Sequence, residues 1–394
     1  AKLWKIVMYN IVSEFEKFEV LIMKQVAINN EKILQWFEHF HANPEVSWKE
    51  FNTTKKLASI LDELNVAYYT FDDVTGVVAE IGTGDEVIAV RADIDALWQE
   101  VDGVMQANHS CGHDANMTMV LGALMNLKHM KLKKRIRFIF QPAEETGGGA
   151  LSMIERDVLK DVTYLYGVHL RPIEELPLGK VAPAIYHGAA VFLEGVIQGV
   201  DAHGARPHQG KNAIDVLVAI QQMLQNLHMD PAEVCSAKLT KMMADGGSIN
   251  IIPGKATFSM DVRAQKNEVV RELQQRIEKG FNHLSQMFDV DIRWEWLDLT
   301  PGAEVSEEAA KIAELSIIEA CGIDYLAPAV VTPGSDDFHF YTTKQPDLKA
   351  TMIGIGADLA PGLHHPNMTF NKEALQIGVD VLTTTLKNAA RGRD

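Results

Sequence analysis

The chain is poor in cysteine and in positive charge. Its 394 residues include only three cysteines, Cys111, Cys235 and Cys321. That number is too small and odd for a disulfide framework, which favours a reducing, cytoplasmic environment. Lysine and arginine total 37 against 53 acidic residues, a net charge of −16, which argues against a nucleic-acid partner. No apolar run is long enough to span a membrane. The length and composition predict a globular protein of two domains.

Residues 1–28 are expected to form an N-terminal extension. This stretch mixes apolar residues such as Trp4 with acidic residues such as Glu14, and the acids argue against a secretory signal. Two interpretations stay open: a segment that precedes a natural start at Met23, and an amphipathic docking helix.

Short apolar strands alternate with amphipathic helices over most of the chain. This alternation predicts a three-layer αβα domain with a mostly parallel sheet. Polar motifs follow the predicted strands, and ligands bind beyond the carboxyl ends of strands in such sheets. The predicted strands are 87–90, 136–140, 164–168 and 352–355, and the predicted helices are 30–43, 53–64, 115–132 and 306–320.

The middle of the chain has a different pattern. Between residues 191 and 297 the predicted elements follow the order β-α-β-β-α-β, which is typical of a ferredoxin-like α+β domain. The sequence therefore predicts an inserted domain at 186–298 within a larger catalytic domain made of 29–185 and 299–394.

Two short motifs indicate a metal site: Ser110-Cys111-Gly112-His113-Asp114 and Gln141-Pro142-Ala143-Glu144-Glu145. Thiol, imidazole and carboxylate groups are the donors that hold divalent transition metals. Taken alone, Cys111 and His113 are more simply a buried cysteine beside a histidine at a helix start.

Three further donors change that balance. Glu145, His169 and either His364 or His365 also stand just after predicted strands. Five donors exceed the three or four that one catalytic zinc takes from a protein. The sequence therefore predicts two ions, with the Cys111 thiolate as the candidate bridge.

Carboxylates beside these donors are candidates for proton transfer and for orienting ligands. Glu144 is the expected general base, although a second metal ligand or a helix-start charge is the alternative. Asp95, grouped with the catalytic residues, and Asp93 could orient metal ligands from behind or simply cap the next turn.

These motifs resemble the aminoacylase and carboxypeptidase family of di-metal exopeptidases. The resemblance is to the amidohydrolase branch that includes hippurate and auxin-conjugate hydrolases, and it covers roughly residues 30–390. Besides the two motifs above, it is carried by Arg91 to Leu97, Gly167-Val168-His169-Leu170, His203 to His208, Asn250-Ile251-Ile252-Pro253 and Leu363-His364-His365-Pro366.

The resemblance implies a role for each site residue. It implies that the inserted domain serves as a lid and dimerisation domain. His364 matches rather than His365, because the family's ligand stands two residues before the proline. The implied roles are Cys111 as the bridge, His113 and His169 as ligands of one ion, Glu145 and His364 of the other, Glu144 as the base, His203 as a contact to the tetrahedral intermediate, and Asn250 as a substrate contact.

Three positions depart from the branch pattern and put the preferred substrate in doubt. Trp98 replaces a proline, Asn116 replaces a histidine, and Asp336-Asp337-Phe338 replaces Glu-Asp-Phe. None of them removes an implied metal ligand. Without the family match, His203 would be taken for a solvent-exposed loop histidine.

The predicted function is a metal-dependent amidohydrolase that cleaves N-acyl amino acids with metal-activated water. Zinc, manganese, cobalt and nickel all fit the donor set. The expected partners are a small N-acyl amino acid or dipeptide-like substrate and a second copy of the chain. The alternatives are a dipeptidase or carboxypeptidase with the same site, a cysteine amidase using Cys111 and His113, and a metal-binding protein without catalysis.

Overall fold

The computed structural model describes residues 29–391, so the predicted N-terminal extension lies outside the described residues. Within them, no helix is long and apolar enough to cross a membrane. The helices in chain order are α1 (29–42), α2 (Phe51–Glu63), α3 (His113–Leu127), α4 (Gly149–Glu155), α5 (Ala213–Gln225), α6 (Asn267–Phe288), α7 (Glu307–Cys321), α8 (His339–Lys344) and α9 (Glu373–Arg391).

Within residues 29–391 the strands belong to one seven-stranded sheet, one four-stranded sheet and three two-stranded ribbons. In chain order they are β1 (Tyr68–Thr70), β2 (Val77–Ile81), β3 (Val87–Asp93), β4 (Leu97–Val101), β5 (Val104–Asn108), β6 (Arg135–Gln141), β7 (Val162–Pro172), β8 (Val181–Ala182), β9 (Ile185–His187), β10 (Ala189–Gln198), β11 (Ala202–His203), β12 (Cys235–Ala244), β13 (Ile251–Ile252), β14 (Lys255–Ala264), β15 (Asp291–Thr300), β16 (Val330–Thr332) and β17 (Lys349–Leu359).

The first compact unit is an α/β domain built on a seven-stranded sheet of order β1-β2-β6-β3-β7-β17-β8. Strands β6, β3, β7 and β17 run parallel. Strands β1, β2 and β8 pair in antiparallel fashion at the two sides. The sheet is therefore mixed, and the predicted parallel arrangement applies to its four central strands.

Helix α3 is the element that carries His113 into the interior of this unit. Glycines let α3 approach α9 closely: a Cβ on Gly122 would lie 2.4 Å from Val379, and one on Gly378 would lie 2.0 Å from the sulfur of Met119. Nearly every residue of α3 is buried. A helix enclosed in this way gives its first residue, His113, a fixed position.

The second compact unit consists of residues Ile185–Val305 and Ala329–Asp347. Its main sheet has the order β12-β14-β10-β15 and is antiparallel throughout. Helices α5 and α6 pack on it around a core that includes Ile220, Phe258 and Phe281. The order β10-α5-β12-β14-α6-β15 is the β-α-β-β-α-β arrangement predicted from the sequence.

The unit boundaries differ from the predicted ones at two places. The sequence assigned 299–394 to the catalytic domain, whereas the chain up to Val305 and the segment Ala329–Asp347 belong to the second unit. Strand β16 of that segment pairs in parallel with β9, and His339 Nε2 lies 3.0 Å from His187 Nδ1. These contacts join residues more than 140 positions apart, which local sequence patterns do not reveal.

Candidate metal centre

The five predicted donors all lie in the first unit, at the carboxyl ends of its strands or in the loops that follow. His169 lies on β7, and Glu145 follows β6. His113 opens α3, and the left-handed Gly112 before it has φ 86°, a conformation that suits glycine. His364 follows β17 in a loop fixed by the hydrogen bond from its backbone N–H to Ser110 O at 2.7 Å.

The structure brings these donors together in two groups that share Cys111. In each group the ligand atoms lie within 4.8 Å of one another. The first group is Cys111, His113 and His169, and the second is Cys111, Glu145 and His364. A shared sulfur between two donor groups is the arrangement that a bridging thiolate requires.

The distances between donor atoms suit ligands around a cation. Cys111 Sγ lies 3.7 Å from His169 Nε2. Glu145 lies 3.8 Å from His113 Nε2 and 3.4 Å from His364 Nε2. Ligands held at about 2.0–2.3 Å from a tetrahedral zinc lie about 3.3–3.8 Å apart. His113 Nε2 and Glu145 Oε1 are also buried without a hydrogen-bond partner, a cost that a bound cation would remove.

In each of the two buried histidine donors, a hydrogen bond at Nδ1 orients the ring so that Nε2 faces the other metal donors. His113 Nδ1 lies 2.9 Å from Asp95 O and 3.1 Å from Asp95 Oδ1. His169 Nδ1 lies 2.7 Å from Leu170 O. Because Nδ1 donates in both cases, both Nε2 lone pairs are left for a metal.

Asp95 contacts two of the donor residues, His113 and Glu145. Besides orienting His113, its Oδ2 accepts hydrogen bonds from Ser47 Oγ at 2.7 Å and from the Glu145 backbone N–H at 3.0 Å. The sequence analysis grouped Asp95 with the catalytic residues and gave it a possible role in orienting metal ligands, and these contacts favour that orienting role. It holds one donor from each of the two groups.

Asp93 also borders the centre, with its Oδ2 at 3.8 Å from His113 Nε2, and the sequence analysis did not predict the two residues that hold it. Arg91 donates to Asp93 Oδ2 at 2.5 Å and to Gln141 Oε1 at 2.8 Å. Asn116, where the family resemblance expects a histidine, donates to Asp93 Oδ1 at 2.9 Å. An arginine inside an otherwise apolar strand was the one signal in the sequence, because a buried guanidinium needs a carboxylate partner.

The loop that carries Glu144 and Glu145 has a constrained backbone. Ala143 has φ 55°, which is uncommon for a residue with a side chain. Its carbonyl accepts from Gly149 N at 3.1 Å, and its N–H donates to the buried Glu50 Oε1 at 2.8 Å. Glu50, which the sequence analysis also missed, therefore helps to fix the loop.

Gly149→Ala is expected to distort this loop, destabilise the fold by roughly 1–3 kcal/mol and lower activity. An added Cβ would lie 1.7 Å from Pro142 O. Because this oxygen belongs to the backbone, it cannot move aside as the end of a flexible side chain could. The matched control is Gly362→Ala, where an added Cβ meets nothing within 4 Å. Denaturant unfolding and steady-state kinetics check both variants, and equal behaviour of the two would contradict the argument.

Burial, followed by the charge of Glu145, raises the pKa of the Cys111 thiol well above 9.0. A thiol that stays protonated at neutral pH is a poor nucleophile. The cysteine-amidase alternative is therefore disfavoured. Metal coordination, in contrast, deprotonates a thiol outright.

A histidine at the edge of this region is expected to make stability depend on pH. A hydrogen bond to Asp114 at 2.7 Å outweighs partial burial and raises the pKa of His41 above 6.5. A raised histidine pKa stabilises the fold below pH 6.5, and this stabilisation is lost as pH rises through the folded-state value.

The free energy of unfolding of wild type minus that of His41→Gln should therefore be largest below pH 6.5 and shrink as pH rises. His129→Gln, at an exposed position beyond α3, is the control. A difference that stays constant or grows with pH would contradict the role given to the His41–Asp114 pair.

His203 and Asn250 are neighbours in the second unit. Gly204 N donates to Asn250 O at 2.7 Å where β11 pairs with β13. Both side chains are exposed. His203 Nδ1 accepts from Ala205 N at 3.1 Å, and Asn250 Oδ1 accepts from Ser248 Oγ at 2.8 Å. Their predicted contacts with substrate stay predictions.

Comparison with known proteins decides the family. The model of peptidase family M20/M25/M40 matches residues 89–388. The chain belongs to this family. The resemblance to its amidohydrolase branch is confirmed, and with it the prediction of an enzyme that acts on amide bonds.

Individual relatives match over nearly the whole chain. An N-acetyl-L-cysteine deacetylase of Bacillus subtilis is 32% identical over 86% of this chain and 83% of its own. An N-acetyldiaminopimelate deacetylase of Bacillus pumilus is 29% identical over 92% of this chain and 99% of its own. The structure of a dinuclear metal-binding M20 peptidase from Bacillus subtilis superposes with a TM-score of 0.78 at 26% identity, covering 92% of this chain and 99% of that one.

Proposed function

We propose that this family member hydrolyses the amide bond of N-acyl amino acids, releasing a carboxylic acid and a free amino acid. The observation that carries the proposal is the pair of donor groups sharing Cys111, with the Glu144 carboxylate beside them. The deacetylases among the relatives support this substrate class.

The donors present fit two divalent ions. Cys111, His113 and His169 would hold one ion, and Cys111, Glu145 and His364 the other. When bound, such a pair polarises the amide carbonyl and activates the attacking water. Zinc, manganese, cobalt and nickel all suit thiolate, imidazole and carboxylate donors.

Glu144 is the proposed general base. Its Oε2 lies 3.7 Å from His113 Nε2, and its side chain is 10% exposed, so it borders the donor groups without being enclosed by them. Its carboxylate would take a proton from the attacking water and deliver it to the leaving nitrogen, which then departs as an amine. Asp95, through His113 and Glu145, keeps the surrounding donors in place.

The second unit is proposed to act as a lid and to dimerise. His203 would donate to the oxygen of the tetrahedral intermediate and Asn250 would contact the substrate when the lid closes. Strand β12 is an edge of the four-stranded sheet, and Met242 and Met243 on it are exposed. An edge strand with exposed apolar residues suits pairing with a second copy of the chain.

We also propose that the protein is located in the cytoplasm. Cys111, Cys235 and Cys321 are free thiols, and a reducing compartment preserves a thiolate ligand. The dipeptidase or carboxypeptidase alternative uses the same donors and differs only in the group that the enzyme accepts.

Elemental analysis followed by a substrate panel tests the proposal. The purified protein, reconstituted with each candidate metal, should contain about two ions per chain and should hydrolyse N-acetyl or N-benzoyl amino acids faster than dipeptides. Faster cleavage of dipeptides would favour the peptidase alternative. Unchanged turnover after exhaustive chelation would contradict the metal-dependent mechanism.

A further inference from the structure

A groove on the first unit, between α2 and the edge strand β1, is lined by none of the five metal donors. Its volume is about 520 Å³, within the range of roughly 300–1,000 Å³ for small-molecule sites. Four aromatic residues line it: Trp48, Phe51, Tyr68 and Phe71. Phe51 is 59% exposed, and aromatic surface left open to water in a concave site is typical of ligand binding.

The charges at this groove are of both signs and partly unpaired. Lys55 and Asp72 line it, and within residues 29–391 neither forms an ion pair or a side-chain hydrogen bond. Asp73, in contrast, pairs with Arg156. A lysine and an aspartate beside aromatic walls complement a small zwitterion with an aromatic side chain. The negative charge of Asp72, which no cation among the described residues pairs, disfavours phosphate compounds.

Two contacts connect the groove to the loop that carries Glu144. Thr75, in the groove wall, donates to Glu50 Oε2 at 2.6 Å. The other oxygen of Glu50, a fully buried residue, accepts from Ala143 N at 2.8 Å. Trp48 has φ 65°, and a Cβ on Gly148 would lie 3.0 Å from its ring. The groove wall and the Glu144 loop therefore share neighbours.

We propose that this groove is a binding site for a free aromatic α-amino acid, and that its occupancy steadies the loop 142–149 through Thr75, Glu50 and Trp48. The ring would lie against Phe51 and Trp48, the carboxylate near Lys55 and the ammonium group near Asp72. This binding does not depend on the proposed amidohydrolase function. An experiment can therefore refute the groove site without refuting the hydrolase activity, and the reverse.

The test is calorimetric titration of the metal-loaded protein with L-phenylalanine. Phe51→Ala and Lys55→Met should each weaken binding by about tenfold or more. Both positions are exposed, so the fold should survive. Leu315→Ala, at the 53% exposed Leu315 of α7, is the control and should bind as wild type does. Absence of binding at millimolar ligand, or affinity unchanged in both groove variants, would overturn the site.

Hydrogen exchange tests the connection separately. Saturating L-phenylalanine should slow amide exchange in the peptide covering residues 141–149 in wild type but not in Phe51→Ala. Binding without this protection would overturn the connection to the loop. A ligand bound only at the metal centre would be equally tight in wild type and in both groove variants, which would also contradict the proposal.

Discussion

Glu144→Gln is expected to lower kcat by about 10²–10⁴-fold, the range in which general acid–base catalysis contributes. The amide keeps the size of the carboxylate but cannot take a proton from water. Glu144 groups with His113 and Glu145 but not with Cys111. In the proposed role it moves a proton and holds no ion, so the metal content should stay at the wild-type level.

The neighbouring residue supplies the matched comparison. Glu145 belongs to the donor group with Cys111 and His364, so Glu145→Gln should lose metal as well as activity. Elemental analysis and steady-state kinetics on the same preparations separate the two roles. Unchanged turnover in Glu144→Gln would refute the base role. If Glu144→Gln lost metal and Glu145→Gln did not, Glu144 would be the metal ligand and Glu145 the base.

Cys111→Ser should have the second large effect, because Cys111 belongs to both donor groups. Substitution of a residue behind a metal ligand typically costs about 10–100-fold in metal affinity, and the loss of a shared direct ligand should cost more. We expect fewer than two ions per chain and a loss of activity of more than about 100-fold.

Cys321→Ser is the control, since Cys321 is a half-buried cysteine at the end of α7. It should keep both metal and activity. Full metal content in Cys111→Ser would show that the sulfur bridges nothing, and the fold-change in activity would then need another explanation.

The sequence was sufficient to group the metal donors, and the reason is topological. His169 lies on β7, and Glu145 follows β6. Both strands are apolar, and each pairs in parallel with β3, one on either side of it. Strand ends in such a sheet meet at one edge. The predicted strands therefore indicated where Glu145, His169 and His364 would meet, whereas Cys111 and His113, which follow β5 of a separate ribbon, were indicated only by their motif.

The supporting residues could not be predicted in the same way. Glu50 reaches Ala143 across 93 positions, and Ser47 reaches Asp95 across 48. No local pattern distinguishes a buried glutamate of this kind from the exposed glutamates on helix surfaces. The same limit applies to β16, whose partner β9 lies in a distant part of the chain.

The element order β-α-β-β-α-β of the second unit matches the predicted order, and strand β14 shows the pattern on which that prediction depended. Phe258, Met260 and Val262 of β14 are buried, and Ser259 and Asp261 between them are less so. The mixed character of the larger sheet was not predicted, because the antiparallel strands β1 and β8 contain only three and two residues, too few to show a periodicity.

The most direct test of the account is anomalous diffraction at the absorption edge of the reconstituting metal. The account predicts two peaks, both within about 2.3 Å of Cys111 Sγ, one next to His113 and His169 and the other next to Glu145 and His364. A single peak, or two peaks of which neither touches the sulfur, would contradict the shared-thiolate centre on which the proposed chemistry rests.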